Sequence, residues 1–208
     1  MRILIADDHA IVRKGLRQLV LEEYASAQID EVGDVESLVT KVIGEKWDVV
    51  ICDLNMPGRS GLDALQQIKQ ISPELPVLIM SMYPEDQYAV RVLRAGAAGY
   101  LGKDTIHDEL IKAIQIVLLG KKYITPSVAE KLVEAIHTEV TEEPHQLLSD
   151  REFDVFKLLA GGKSVSEIAG QFSLSVTTIS TYRSRIMEKM NMRSNADLTK
   201  YAIEKGLV

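Results

Sequence analysis

Short apolar runs alternate with longer stretches of helical spacing over about the first 120 residues, and this rhythm restricts the chain's fold more than any other feature. The runs are Ile3-Leu4-Ile5-Ala6, Val49-Val50-Ile51-Cys52, Val77-Leu78-Ile79-Met80 and Ala98-Gly99-Tyr100-Leu101, with a weaker one from Ile29 to Gly33. Each is short, and rich enough in β-branched or aromatic residues to be a buried strand. Between them, Val12, Leu16, Leu19 and Val20 fall at i, i+4, i+7 and i+8, and Leu110, Ile114, Val117 and Leu118 repeat that spacing. Such a stripe is the core-facing side of a helix. Five strands alternating with five helices predict an α/β fold, a doubly wound five-stranded parallel sheet with helices on both faces.

The rhythm then changes. Thr125-Pro126 opens a further helix, with Thr as N-cap and Pro as first helical residue, and Ala129, Leu132, Val133 and Ile136 give it one apolar face. Val140 to Gln146 contains Glu142, Glu143, Pro144 and His145 without periodicity and reads as a linker. From Leu147 the pattern is all-helical. Ser149 with Glu152 and Ser164 with Glu167 form capping boxes, Ser175 caps a third helix, and Ser194 with Asp197 opens a fourth. A short second helix followed closely by a longer third is helix-turn-helix spacing. The reading is therefore a domain over 1–120, a helix and linker over 121–146, and an all-α four-helix domain over 147–208.

Bulk properties exclude several classes. No apolar run reaches the about 20 residues of a membrane span, and Asp7 and Asp8 interrupt a segment that a secretory signal would keep apolar. The single cysteine, Cys52, allows neither an internal disulfide nor a cysteine-based zinc site, and its strand-like setting makes it a core residue. These features suit the cytoplasm. The net charge of −6 is uneven: Leu147 to Val208 carries nine Lys/Arg against seven Asp/Glu, about +2, which leaves about −8 on the rest. A polyanionic partner is thereby confined to the C-terminal end.

In an open parallel sheet, ligands bind beyond the carboxyl ends of the strands where strand order reverses. The first strand ends in Asp7-Asp8, the third in Asp53 and the fourth in Ser81, and Lys103 follows the fifth. Alone, each has a bland reading as a cap, a loop hydroxyl or a solvated lysine. Together they bring three carboxylates to one rim, where mutual repulsion requires a cation, and oxygen ligands in that number suit Mg²⁺. A hydroxyl and an amine beside them would hold phosphoryl oxygens. The set reads as a metal-assisted phosphoryl acceptor with Asp53 as nucleophile. It requires Asp8, Asp53 and Lys103 to converge and Asp53 to stay within reach of solvent.

Asp7-Asp8, Asp53-Leu54-Asn55-Met56-Pro57 with Gly61, Ser81, and Ala95 through Lys103 resemble a response-regulator receiver domain over residues 1 to about 120. The resemblance implies that Asp53 accepts a phosphoryl group from a sensor histidine kinase. It implies Mg²⁺ or Mn²⁺ held by Asp8, Asp53 and the Asn55 carbonyl with Asp7 assisting, and contacts to the phosphoryl group from Lys103 and Ser81. Tyr100 would turn inward as Ser81 moves. Such a protein is no enzyme in the usual sense, although it supports its own phosphotransfer and dephosphorylation.

Leu148-Ser149-Asp150-Arg151-Glu152, Leu159 through Lys163, Glu167-Ile168-Ala169, Leu174-Ser175, Thr178-Ile179, Arg183 through Ile186 and Lys189-Met190 resemble the LuxR-type helix-turn-helix. In this order the two matches are similar to regulators of the NarL/FixJ type. The resemblance implies double-stranded DNA and RNA polymerase as partners and a homodimer once phosphorylated. Thr177, Ser180, Thr181 and Ser184 form a polar stripe able to enter a major groove, with Thr178 and Tyr182 beside it, while Lys163, Arg183, Arg185 and Lys189 can meet phosphates. Many members carry Lys at the place of Ser180 and His at that of Tyr182, which leaves the bases read undetermined. Two other readings are a Mg²⁺-dependent phosphatase, which commonly needs an acid where this chain has Asn55, and an adaptor whose helical module binds protein.

Overall fold

The computed structural model describes residues 1–56, 59–83, 85–137 and 143–208. Two compact units divide the chain, Met1–His137 and Thr138–Val208. In the first, strands β1 (Arg2–Ala6), β2 (Gln28–Val32), β3 (Val49–Asp53), β4 (Val77–Ser81) and β5 (Gly99–Gly102) form one sheet in the order β2-β1-β3-β4-β5. Every pairing is parallel. Helices α1 (Ala10–Glu23), α2 (Val35–Gly44), α3 (Gly61–Ile71), α4 (Glu85–Arg94) and α5 (Ile106–Leu118) connect or follow the strands. The doubly wound α/β fold predicted from the periodicity is the one observed.

All five residues of β3 are buried, as are all five of β4, because helices cover both faces of a parallel sheet. Beneath α1 and α5, Ile3, Ile5, Ile51, Leu78 and Leu101 pack with Leu16, Val20, Leu110, Ile114 and Val117. Each such side chain contributes about 1.5–3 kcal/mol by leaving water. The edge strand β2 buries only Ile29 and Val32, which is why its sequence signal is weak. Helix α6 (Pro126–His137) belongs to this unit. Ahead of it the Tyr123 amide donates to Ala98 O at 2.7 Å, and Thr125 donates to Glu85 on α4 at 2.6 Å.

The second unit holds a 3₁₀ turn (Pro144–Leu147) and helices α7 (Asp150–Ala160), α8 (Val165–Phe172), α9 (Val176–Lys189) and α10 (Asn195–Glu204). Ser149, Ser164 and Ser194 form complete capping boxes with Glu152, Glu167 and Asp197, and Ser175 accepts from the Thr178 amide. Phe153, Phe156, Ile168, Ile179, Ile186 and Leu198 make the core. Between α8 and α9 the chain reverses through Ser173 in the left-handed region (φ 53°). Part of the expected linker, Val140 to Glu142, lies outside the described residues.

Candidate functional site

Strands β1 and β3 are neighbours, with Ala6 opposite Cys52, so the next residues, Asp7 and Asp53, emerge side by side at the switch point of the sheet. Lys103 arrives from the end of β5, its amide donating to Ser81 O at 2.8 Å. Its ammonium donates to Asp7 Oδ2 at 2.7 Å and to Asp53 Oδ2 at 2.8 Å. Burial pushes the Asp53 carboxyl up to about 6; Lys103 opposes the rise and the Asp7 charge adds to it. Burial works against the charge of Lys103, but its hydrogen bonds to Asp53 and Asp7 more than offset this and hold it above the usual lysine range. Both partners are thus charged at pH 7.

The loop after Asp53 closes tightly. The Gly61 amide donates to Leu54 O at 2.8 Å, and Ser60 and Asp63 cap α3 reciprocally. A Cβ on Gly61 would overlap the Asp53 carbonyl oxygen and lie 2.9 Å from its carbonyl carbon, so glycine is required there for close backbone approach. Pro57 of the expected motif lies outside the described residues.

Asp53 is only 2% exposed, a narrower opening than its proposed role suggests. Asp8 is half-buried, and the His9 side chain is 64% exposed. Carboxylate oxygens of Asp7, Asp8 and Asp53 and a ring nitrogen of His9 all lie within 4.8 Å of one another. Asp8 Oδ1 and Asn55 Oδ1 are buried without a hydrogen-bond partner. An orphaned Asp8 oxygen within a cluster of three carboxylates is a donor set that a hard divalent cation takes, so these acids fit the expected metal.

Ser81 is fully buried at the end of β4, one register step beyond Asp53, and its hydroxyl accepts from the Tyr83 amide at 3.1 Å. Tyr100, expected to turn inward as Ser81 moves, stands inward in this structure. It is 2% exposed, with its hydroxyl donating to Tyr83 O at 2.8 Å.

On α9, Thr177, Ser180, Thr181, Ser184 and Arg185 share an exposed face. The hydroxyls of Thr181 and Ser184 turn back onto the carbonyls of Thr177 and Ser180 at 3.0 and 3.1 Å, and the Thr178 hydroxyl pairs with the cap Ser175 at 2.8 Å. Tyr182 is half-buried. Arg183 Nε donates to Asn195 at 2.8 Å and Lys163 to Gln171 at 2.6 Å. Lys189, itself exposed, reaches the buried Glu152 carboxylate at 2.6 Å, so its charge is paired across to α7.

Residues 3–115 match the family profile described as the response regulator receiver domain, and residues 146–202 match that of bacterial regulatory proteins of the luxR family. Oxygen regulatory protein NreC of Staphylococcus carnosus is 36% identical, covering 100% of this chain and 99% of NreC. Response regulator UvrY of Escherichia coli strain K12 is 33% identical over 100% and 95%. The chain belongs to the response regulators.

Among solved structures, RcsB from Salmonella enterica serovar Typhimurium, bound to promoter P1flhDC in the presence of the phosphomimetic BeF3−, superposes with a TM-score of 0.57 at 30% identity, covering 97% of each chain. This response regulator carries a receiver domain and a LuxR-type helix-turn-helix, and among its described residues no helix is long and apolar enough to cross a membrane. Two residues of its pocket lack any readable sequence signal. Arg13 donates from Nη1 to Asp7 O at 2.6 Å and lies 3.5 Å from Glu31, bracing the loop that presents the acids. His9 donates its amide to Asp7 Oδ1 at 2.7 Å. A lone arginine on a helix and a lone histidine beside acids have no diagnostic spacing; only the folded loop shows their direction.

Proposed function

We propose that this response regulator is a cytoplasmic, phosphorylation-controlled transcription factor, with its receiver over 1–120 and its DNA-binding module over 147–208 joined by the helix and linker between them. The observation that carries the reading is the Asp53 carboxylate at the switch point, bonded to Lys103 at 2.8 Å and flanked by Asp7. A carboxylate oxygen of Asp53 attacks the phosphorus of a sensor kinase's phosphohistidine; the P–N bond breaks and the departing imidazole takes a proton. Lys103, already across the two acids, shifts from Asp53 to the incoming phosphoryl oxygens. Asp7, Asp8, Asp53 and the Asn55 carbonyl would hold Mg²⁺ or Mn²⁺, which supplies charge neutralisation when bound.

The phosphoryl group adds negative charge and strong acceptor oxygens at one point. The Ser81 hydroxyl, held by the Tyr83 amide, is then drawn toward it, and Tyr83 is the residue whose carbonyl receives the Tyr100 hydroxyl. The pocket is thereby coupled to the start of α4. Output is dimerisation and binding of duplex DNA through the exposed face of α9, with RNA polymerase as the downstream partner. Thr177, Ser180, Thr181 and Ser184 meet base edges or phosphates; Arg185, with Arg183 and Lys163, meets phosphates. The RcsB complex with promoter DNA supports this reading.

The test is DNA affinity before and after acetyl phosphate with Mg²⁺, at several salt concentrations. The unaltered protein should bind more tightly once phosphorylated, with affinity falling steeply as salt rises. An Asp53→Ala protein that responds identically refutes the switch, and a flat salt response favours a protein-binding adaptor.

A further inference from the structure

Building on the proposed divalent-cation pocket, we infer that His9 is a further ligand of that site and gives it a preference for cations that favour imidazole, such as Ni²⁺, over Mg²⁺. His9 Nδ1 lies 2.7 Å from Asp8 Oδ1 and 3.2 Å from Asp7 Oδ1. An ion with bonds of about 2.1 Å sets adjacent ligand atoms about 3 Å apart, so these separations are those of neighbouring corners around one centre. The short approach to Asp8 is an ion-pair distance, and Asp8 Oδ1 is otherwise buried with no hydrogen-bond partner. An imidazole nitrogen held this close to two carboxylates, with a third within 4.8 Å, is complementary to a cation that all of them can reach.

The nitrogen also stands within hydrogen-bond distance of Asp7 Oδ1. As a ligand it carries no proton, and Asp7 then keeps the His9 amide, at 2.7 Å, as its donor. That amide bond fixes the start of the side chain at the rim, and the ring, already against Asp7 and Asp8, would exchange its proton for the ion. Carboxylates and carbonyls alone suit Mg²⁺ and Mn²⁺, whereas an added imidazole raises affinity most for Ni²⁺, Cu²⁺ and Zn²⁺. The pocket thus holds one group, His9, that discriminates among the cations it admits.

Calorimetric titration of the untagged full-length protein with Mg²⁺ and with Ni²⁺ tests this. The unaltered protein should bind one Ni²⁺ more tightly than Mg²⁺ and in competition with it. His9→Ala should weaken Ni²⁺ by at least about tenfold, the effect that losing even an outer-shell partner has, and change Mg²⁺ by no more than about twofold. Unchanged Ni²⁺ affinity in His9→Ala, or an equal loss for Mg²⁺, overturns the inference. So does Ni²⁺ binding that persists undiminished in Asp8→Ala, since that ion sits elsewhere. Failure of the unaltered protein to bind Mg²⁺ instead refutes the underlying pocket, whatever His9 does.

Discussion

Replacing Asp53 with asparagine should stabilise the receiver, and by an amount that depends on pH. The carboxyl titrates at about 6 in the folded chain because it is buried beside Asp7, against about 3.9 in an unfolded one. The folded protein therefore keeps the proton to higher pH than the unfolded chain does. Stability is lost as pH rises from about 4 to about 6, and the whole cost persists above that. Two pKa units correspond to about 3 kcal/mol. Asparagine cannot ionise, and Lys103 retains Asp7 at 2.7 Å, so most of that cost disappears in Asp53→Asn. Urea unfolding in metal-free buffer, followed through the fluorescence of the buried Trp47, should show a midpoint raised by about 1 M or more at pH 7, given slopes of about 1–3 kcal/mol/M. The difference should shrink toward pH 4. A variant equally or less stable at pH 7, or a gap independent of pH, would refute the argument that burial of this charge strains the fold.

Lys103→Met removes the hydrogen bond that opposes the rise at Asp53, worth about 1.5–3 kcal/mol for a charged pair. The Asp53 titration followed by carboxyl NMR should move up by about 1–2 units; an unchanged midpoint would contradict the geometry. Gly61→Ala should displace α3 from Asp53 and lower both the urea midpoint and phosphoryl uptake from acetyl phosphate, and full retention of both would show that the loop accommodates a Cβ. In the helical unit, burial pushes Glu152 up, but Lys189 and the capping bonds to Ser149 outweigh it and hold the carboxyl below its usual range. Lys189→Met should cost about 1–3 kcal/mol at neutral pH, and the loss should fade as pH falls below the ordinary carboxylate range, read by circular-dichroism melting. Arg185→Ala should reduce the salt slope of DNA binding by about 1, whereas Lys189→Met should leave it nearly unchanged.

Much of the fold is legible because β3 and β4 are buried on both faces and so read as unbroken apolar runs. β2 is faint because only Ile29 and Val32 of its five residues are buried. The four serine caps of the helical unit could be read directly, since cap and partner are three residues apart. The convergence of Asp7, Asp53 and Lys103 was readable because topology alone brings the strand ends together. The bracing by Arg13, the lean of the His9 ring and the inward ring of Tyr100 depend on rotamers chosen by tertiary neighbours. The direction of Lys189 likewise depends on Glu152, a residue 37 positions away, which no local pattern encodes.

The serine caps of the C-terminal unit carry a wider consequence. Ser149, Ser164, Ser175 and Ser194 each accept a hydrogen bond from an amide three residues onward. Each of these four helix starts is thus specified by its own neighbours. Chains dominated by such near-neighbour contacts reach their native arrangement quickly. A module of this kind is transplantable: it should assemble unaided when spliced behind a different sensory partner.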